Sequence, residues 1–216
     1  MTGATWAKTE PAPAERPTPL ADLGPPVGRV LGIRPEDYRN TAAGFVTLLL
    51  AMAGHSVLET ARDGLFLASL PPTLLPWVYL AIAGLTLAGS TWQRRFLSSV
   101  SKRRTLSLTL LVGAVITASF GLLSPLHHST AGLLVFYVWT GLLATTVVVQ
   151  FWLLAGEVMD FGQAKRAFAV LGGGGLLGAL IGSLLANAAL LVVHASMLPL
   201  VAAALLGAAA FVPPWF

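Results

Sequence analysis

Long apolar stretches alternate with short polar or proline-rich ones along most of the chain. Stretches without sustained polar interruption run over about 41–67, 74–93, 105–123, 131–157, 166–192 and 195–211. A hydrocarbon core of about 30 Å needs about 20 apolar residues in one helix. Five stretches meet that length or nearly so, and the sixth is short and stops abruptly at FVPPWF. The pattern predicts six membrane-spanning helices in an all-α bundle. The turns agree with this division: Pro71, Pro72 and Pro76 punctuate the first connection, and Ser124-Pro125 opens the third. Residues 1 to about 33 have a different character. They are rich in Pro, Ala, Gly and charge, cannot build a core, and read as a disordered tail. No apolar run follows the first basic residues, so this segment is not a signal peptide.

Composition strengthens the membrane reading. The chain is 56% hydrophobic and 10% charged, whereas an ordinary globular domain is about 45–50% apolar and about 25% charged. There are no cysteines, which excludes disulfides and thiolate metal sites. The net charge of +4 invites a nucleic-acid reading, but the placement of the charge explains it otherwise. Lys8, Arg16, Arg29, Arg34 and Arg39 precede the first span. Arg94, Arg95, Lys102, Arg103 and Arg104 lie between the second and third, and Lys165 and Arg166 between the fourth and fifth. The other three connections hold no Lys or Arg. Basic residues are retained on the cytoplasmic side, so both termini are expected there, in a cellular membrane of the bacterial inner type. No nucleic-acid partner is expected.

The run LGGGGLLGALIG at 171–182 contains a G-x-G-x-x-G match at Gly173, Gly175 and Gly178. That fingerprint works after a β-strand in a βαβ unit, and here it lies in apolar helix. Gly174, Gly178 and Gly182 are spaced by four, on one helical face, which is the pattern that lets membrane helices approach closely. Helix packing is the expected role.

Only one of the thirteen basic residues, Arg62, falls inside a span. In AGHSVLETARDGLFL, residues His55, Glu59, Arg62 and Asp63 sit at offsets 0, 4, 7 and 8, one face of a 3.6-residue helix. A charge at the bilayer centre costs roughly 2.5–3.5 kcal/mol on insertion scales, so this stripe must face a bundle interior or water. It is either an internal ion-pair staple, a wet group near the outer interface, or part of a solute or ion pathway. The fourth span carries Gln150 and Glu157, seven apart. Glu157 and Asp160 lie close in sequence to Lys165 and Arg166 and read as a cytoplasmic turn with salt bridges. His127, His128 and His194 read as surface residues. Neither a nucleophile paired with a base nor a metal-ligand spacing is recognisable, so neither an enzyme, a metal nor a cofactor is expected.

Two stretches resemble the ATP/ADP translocases of plastids and intracellular bacteria, distant relatives of the major facilitator transporters. The family has a motif like L-R-x-x-K-D-x-L at the end of its first helix. Here the corresponding run is Leu58-Glu59-Thr60-Ala61-Arg62-Asp63-Gly64-Leu65. A segment like F-A-N-E, followed by A-K-R-F and a glycine-rich helix, is matched by Leu154-Ala155-Gly156-Glu157, Gln163-Ala164-Lys165-Arg166 and the glycine run. RRFLSSVSKRR is similar to the basic loop after the second helix of major facilitators. The sequence departs at Glu59, where the family has a basic residue, and at Gly156, where it has Asn. The family has about twelve helices, so the resemblance is to its N-terminal half. It implies alternating-access transport of a polar or anionic solute, nucleotide among them, with a second six-helix half or a second copy as partner. Arg62 would bind an anionic group. Glu59, Asp63, Gln150 and Glu157 would bind solute or couple ions; Glu59, Asp63 and Glu157 would gate by exchanging salt bridges with Arg62, Lys165 and Arg166, and Asp160 would join the cytoplasmic salt bridges. The competing expectation is a membrane scaffold or accessory subunit without transport, anchoring partners through its glycine face and basic loops. The orientation is checked by labelling an introduced cysteine at Ser98 in intact cells. A membrane-impermeant thiol reagent is expected to reach it only after the cells are opened.

Overall fold

A computed structural model describes residues 37–96, 101–123 and 129–216. The tail, Arg29, Arg34, Ser98, Ser124, Pro125, His127 and His128 lie outside the described residues, as do the side chains of Arg94 and Arg95. The described residues form six α-helices: α1 (Tyr38–Ser69), α2 (Leu75–Phe96), α3 (Lys102–Leu122), α4 (Thr130–Val158), α5 (Phe161–Leu190) and α6 (Leu198–Ala210). Six helical segments are long and apolar enough to cross a membrane, and the protein is membrane-embedded.

Local chemistry sets the helix ends. Ser101 and Ser129 open α3 and α4, their hydroxyls accepting from the backbone N–H of Arg104 and Gly132. At α5 the Gln163 side chain accepts from the Asp160 N–H at 3.0 Å. The helix therefore begins at Phe161, five residues before the apolar run expected from 166. The short α6 has only 13 residues, but a 3₁₀ turn flanks each end, Ala195–Met197 and Pro213–Trp215. The tighter winding rises about 2 Å per residue, so the combined segment crosses where the α-helix alone would fall short. The FVPPWF stretch is thus a continuation of the span. Its last ring, Phe216, is buried against Gly44 of α1, Leu171 of α5 and Phe151 of α4.

Helix α1 is the hub, packing on α5, α6 and α4. It runs parallel to α5 in constant register: Asp37 meets Arg166, and the backbone at Phe45, Leu49 and Ala53 meets Gly174, Gly178 and Gly182. A methyl group on Gly174 would sit 2.8 Å from the Phe45 carbonyl oxygen, and one on Gly178 or Gly182 would overlap the carbonyls of Leu49 and Ala53. Glycine alone allows this backbone-on-backbone contact. Near its end, Ser56 and Ser183 share a hydrogen bond of 2.8 Å. On another side Gly54 admits α6, its missing methyl lying 3.2 Å from the Ala202 carbonyl oxygen. Helix α3 packs on α6, with Gly121 against Leu200, and on α4, with Gly113 against Leu143. Helix α2 leans chiefly on α4, where Gly141 receives Ile82.

These pairs form a pattern. The principal contacts are α1 with α5, α4 with α2, α1 with α6, α4 with α3, α3 with α6, and α1 with α4. Exchanging α1 with α4, α2 with α5 and α3 with α6 returns the same set. Two three-helix units thus interlock, each sending its middle helix to the other unit's first. Three is odd, so the second unit enters the membrane from the opposite side to the first. Lys102, Arg103, Arg104, Lys165 and Arg166 all lie at one end of the bundle, its basic end.

The glycine contact gives a direct stability test. Gly178→Ala is expected to lower the melting temperature by overpacking, worth about 1–3 kcal/mol, and Gly178→Leu to lower it further. Gly172, one and a half turns earlier, has open space around it. There the same Ala change should be neutral or stabilising, since alanine gains up to about 1 kcal/mol of helix propensity. Equal melting temperatures for the two Ala variants would show that α5 does not touch α1 through Gly178.

Candidate functional site

The α1 stripe is the densest polar group within the spans. Arg62 is buried, its side chain 7% exposed, while Glu59 and Asp63 are each 47% exposed. The Arg62 Nε donates to Asp63 Oδ1 at 2.8 Å, and Nη2 reaches Asp63 Oδ2 at 3.3 Å and Glu59 Oε1 at 3.4 Å. The guanidinium carbon lies 4.3 Å from the centre of the Tyr137 ring on α4. Tyr137 is fixed in turn by Phe66 at its edge, 5.0 Å between centroids, and by the Tyr79 hydroxyl at 3.1 Å. The guanidinium is therefore held from below by an aromatic face and from the side by two acids. His55 continues the stripe, its Nε2 3.6 Å from Glu59 Oε1, a charge contact when the imidazole is protonated and too long for a hydrogen bond.

Depth along the helices locates the group. At about 1.5 Å per residue, Arg62 lies about 13 Å beyond the midpoint of α1, and Tyr137 about 10 Å from the midpoint of α4. The charged group thus sits toward the end of the bundle opposite the basic one and away from the middle of its helices. The middle is occupied by a pocket of about 360 Å³ between α1 and α4. Its walls are apolar, with Met52, Leu58 and Val148 among them, and His55 and Thr145 supply its polar side chains. The stripe therefore runs from a charged mouth to a nearly neutral pocket, with His55 at the junction.

The other residues singled out from the sequence do not join this group. Gln150 is buried in α4, 5% exposed, and its Oε1 has no hydrogen-bond partner among the described residues. Glu157 lies about 20 Å from the midpoint of α4, at the basic end. It pairs with Lys102 at 2.7 Å and not with Lys165 or Arg166, because the antiparallel α3 places its first residue beside the end of α4. Arg166 pairs instead with Asp37 at 3.4 Å, since the α1–α5 register turns it toward α1. Asp160 and Lys165 are exposed, and among the described residues neither makes an ion pair. Arg62 and Glu157 stand at opposite ends of the bundle, so a direct exchange of salt bridges between them does not fit this arrangement. The glycine face is buried against α1 and is not free to anchor a partner.

Tyr137, Tyr79, Lys102 and Asp37 complete these contacts; sequence reasoning used Lys102 only for orientation and gave the other three no role. The available signal for Tyr137 was a phenol in an otherwise apolar span. Among the described residues no group of three or more His, Asp or Glu could hold a metal ion. Compared with protein-family models, curated proteins and solved structures, the chain matches none.

Tyr137 offers the cleanest test of the Arg62 setting. Tyr137→Phe keeps the ring and loses the phenol contact, whereas Tyr137→Leu loses both. Leu is expected to cost about 1–2 kcal/mol more than Phe in thermal unfolding. Equal costs would mean that the ring contributes nothing to holding Arg62.

Proposed function

We propose that the chain is one six-helix half of a major-facilitator-like secondary transporter, working by alternating access against a second half or a second copy. The observation that carries this reading is the interlocked exchange of helices. Two inverted three-helix units are the plan of each half of such transporters, with the solute site at the repeat interface. Here that interface is the α1–α4 pair, which lines the mid-depth pocket and bears the polar stripe. The basic end faces the cytoplasm, and the Arg62 group forms the outer mouth.

The charge balance narrows the solute. With both acids ionised, Arg62, Glu59 and Asp63 sum to −1. A polyanion such as a nucleotide is repelled by that excess, so the reading favours a small polar solute with a single anionic group. Protonation of Glu59 or Asp63 relieves the excess and frees a guanidinium face for the solute anion, which couples the two. Glu59 and Asp63 keep about half of their surface uncovered by the rest of the chain. A carboxylate does not face hydrocarbon, so water or a partner covers them. A scaffold would bury the stripe fully paired or set it against a partner, so water reaching the stripe is what distinguishes transport from it.

The test is a cycle of variants read for stability and for solute-induced thermal shift, with monocarboxylates, monophosphates and ATP as probes. A monoanion is expected to stabilise the wild type more than ATP does. Arg62→Ala should abolish that shift, and it should also destabilise the protein by stranding two acids. Adding Glu59→Gln and Asp63→Asn should restore stability but not the solute response, because removing all the partners costs less than stranding the acids. Full rescue in both readouts, or no response to any probe in the wild type, would sink the substrate role of Arg62.

A further inference from the structure

The basic end holds a second feature that transport does not use. Where α3 begins, a groove of about 410 Å³ is lined by Ser101, Arg103, Arg104, Ser107, Leu108 and Pro214. Lys102 is committed to Glu157, but Arg103 and Arg104 are exposed and pair with no acid among the described residues. The Ser107 hydroxyl is buried at this groove and has no partner among the described residues. The first-turn amides of α3 add the positive end of a helix dipole. Positive charge, an unused hydroxyl and a helix start therefore converge at one place.

The groove does not end there. Leu108 is shared with a second, apolar groove of about 300 Å³ between α3 and α4, which passes Val112 and Leu142 to Trp139. Trp139 closes it by donating to the Thr117 hydroxyl at 3.2 Å. From Leu108 to the level of Thr117 is about 13 Å along the helix. One leaflet of the hydrocarbon core is about 15 Å deep. Leu108, Leu111, Val112 and Val115 are all exposed on this side of α3. A free phosphate has no use for such an apolar extension, whereas an acyl chain below an anionic headgroup matches both parts.

We propose that these two adjoining grooves bind a phospholipid with an anionic headgroup, the phosphate held at Arg103 and Arg104 and one acyl chain laid between α3 and α4. A basic residue near an anionic membrane surface is worth about 1 kcal/mol, so two give roughly a twenty-fivefold preference for an anionic over a zwitterionic lipid. The inference stands whether or not the chain transports a solute.

Native mass spectrometry of the protein with phosphatidylglycerol and phosphatidylcholine of matched acyl chains reads that preference. The wild type is expected to retain phosphatidylglycerol about twenty-five times better, and Arg103→Gln with Arg104→Gln to lose the preference. Lys165→Gln removes an exposed charge at the same end but outside the groove and should leave the preference intact. Val112→Trp fills the apolar part and should weaken retention of phosphatidylglycerol several-fold. The melting temperature in phosphatidylcholine checks that each variant folds; if the double variant does not, Arg104→Gln alone should lose about fivefold. Equal retention of the two lipids, an equal loss in Lys165→Gln, or full displacement of the lipid by millimolar inorganic phosphate would overturn the proposal.

Discussion

An arginine and two carboxylates cannot face hydrocarbon, and α1 carries all three between residues 59 and 63. Much of the bundle follows from that constraint. A helix with this stripe needs neighbours, and α1 has α4, α5 and α6, which bury Arg62 while Glu59 and Asp63 stay half-exposed. The space around a central helix is limited, so its neighbours approach through small residues: the glycines of α5 on one side and Gly54 with the alanines of α6 on another. The remaining side is left to α4, which offers the Tyr137 ring to the guanidinium. The polar face thus sits where the two three-helix units meet.

The polar contacts form two tiers. At the basic end Lys102–Glu157 ties α3 to α4, and Asp37–Arg166 ties α1 to α5. At the other end the Arg62 group ties α1 to α4 through an aromatic ring. Partly exposed ion pairs near water contribute about 0–1 kcal/mol each. Between the tiers the α1–α5 contact is glycine on backbone, without interlocking side chains, and the α1–α4 contact is hollowed by the pocket. The middle of the bundle therefore has few side-chain locks between α1 and its neighbours.

Hydropathy made the six spans legible, because each must cover the same thickness of hydrocarbon. The α1 stripe was legible too, since offsets of 4, 7 and 8 define a helical face without any tertiary information. The glycine spacing likewise pointed to close packing, though not to α1 as the neighbour. Pairing between helices was not legible. Glu157 is close to Lys165 and Arg166 in sequence, yet the register of antiparallel helices gives it Lys102. Arg166 finds Asp37, 129 residues away in sequence. The depth of Arg62 was legible as well, because the apolar stretch 41–67 and the helix Tyr38–Ser69 share nearly the same midpoint, and Arg62 lies well past it in both. Tyr137 could not be assigned from spacing, as its importance comes from what α1 places above it.

Water at the mid-depth pocket is the most direct mark of a solute path, and the absence of native cysteines makes it measurable. Thr145→Cys puts a thiol on the pocket wall at the midpoint of α4, and Leu184→Cys puts one on the exposed apolar face of α5. A membrane-impermeant, water-borne thiol reagent added to protein in vesicles should label Cys at 145 and leave Cys at 184 untouched. A buried, dry α1–α4 interface, with 145 as unreactive as 184, would contradict a transport path along the Arg62 stripe.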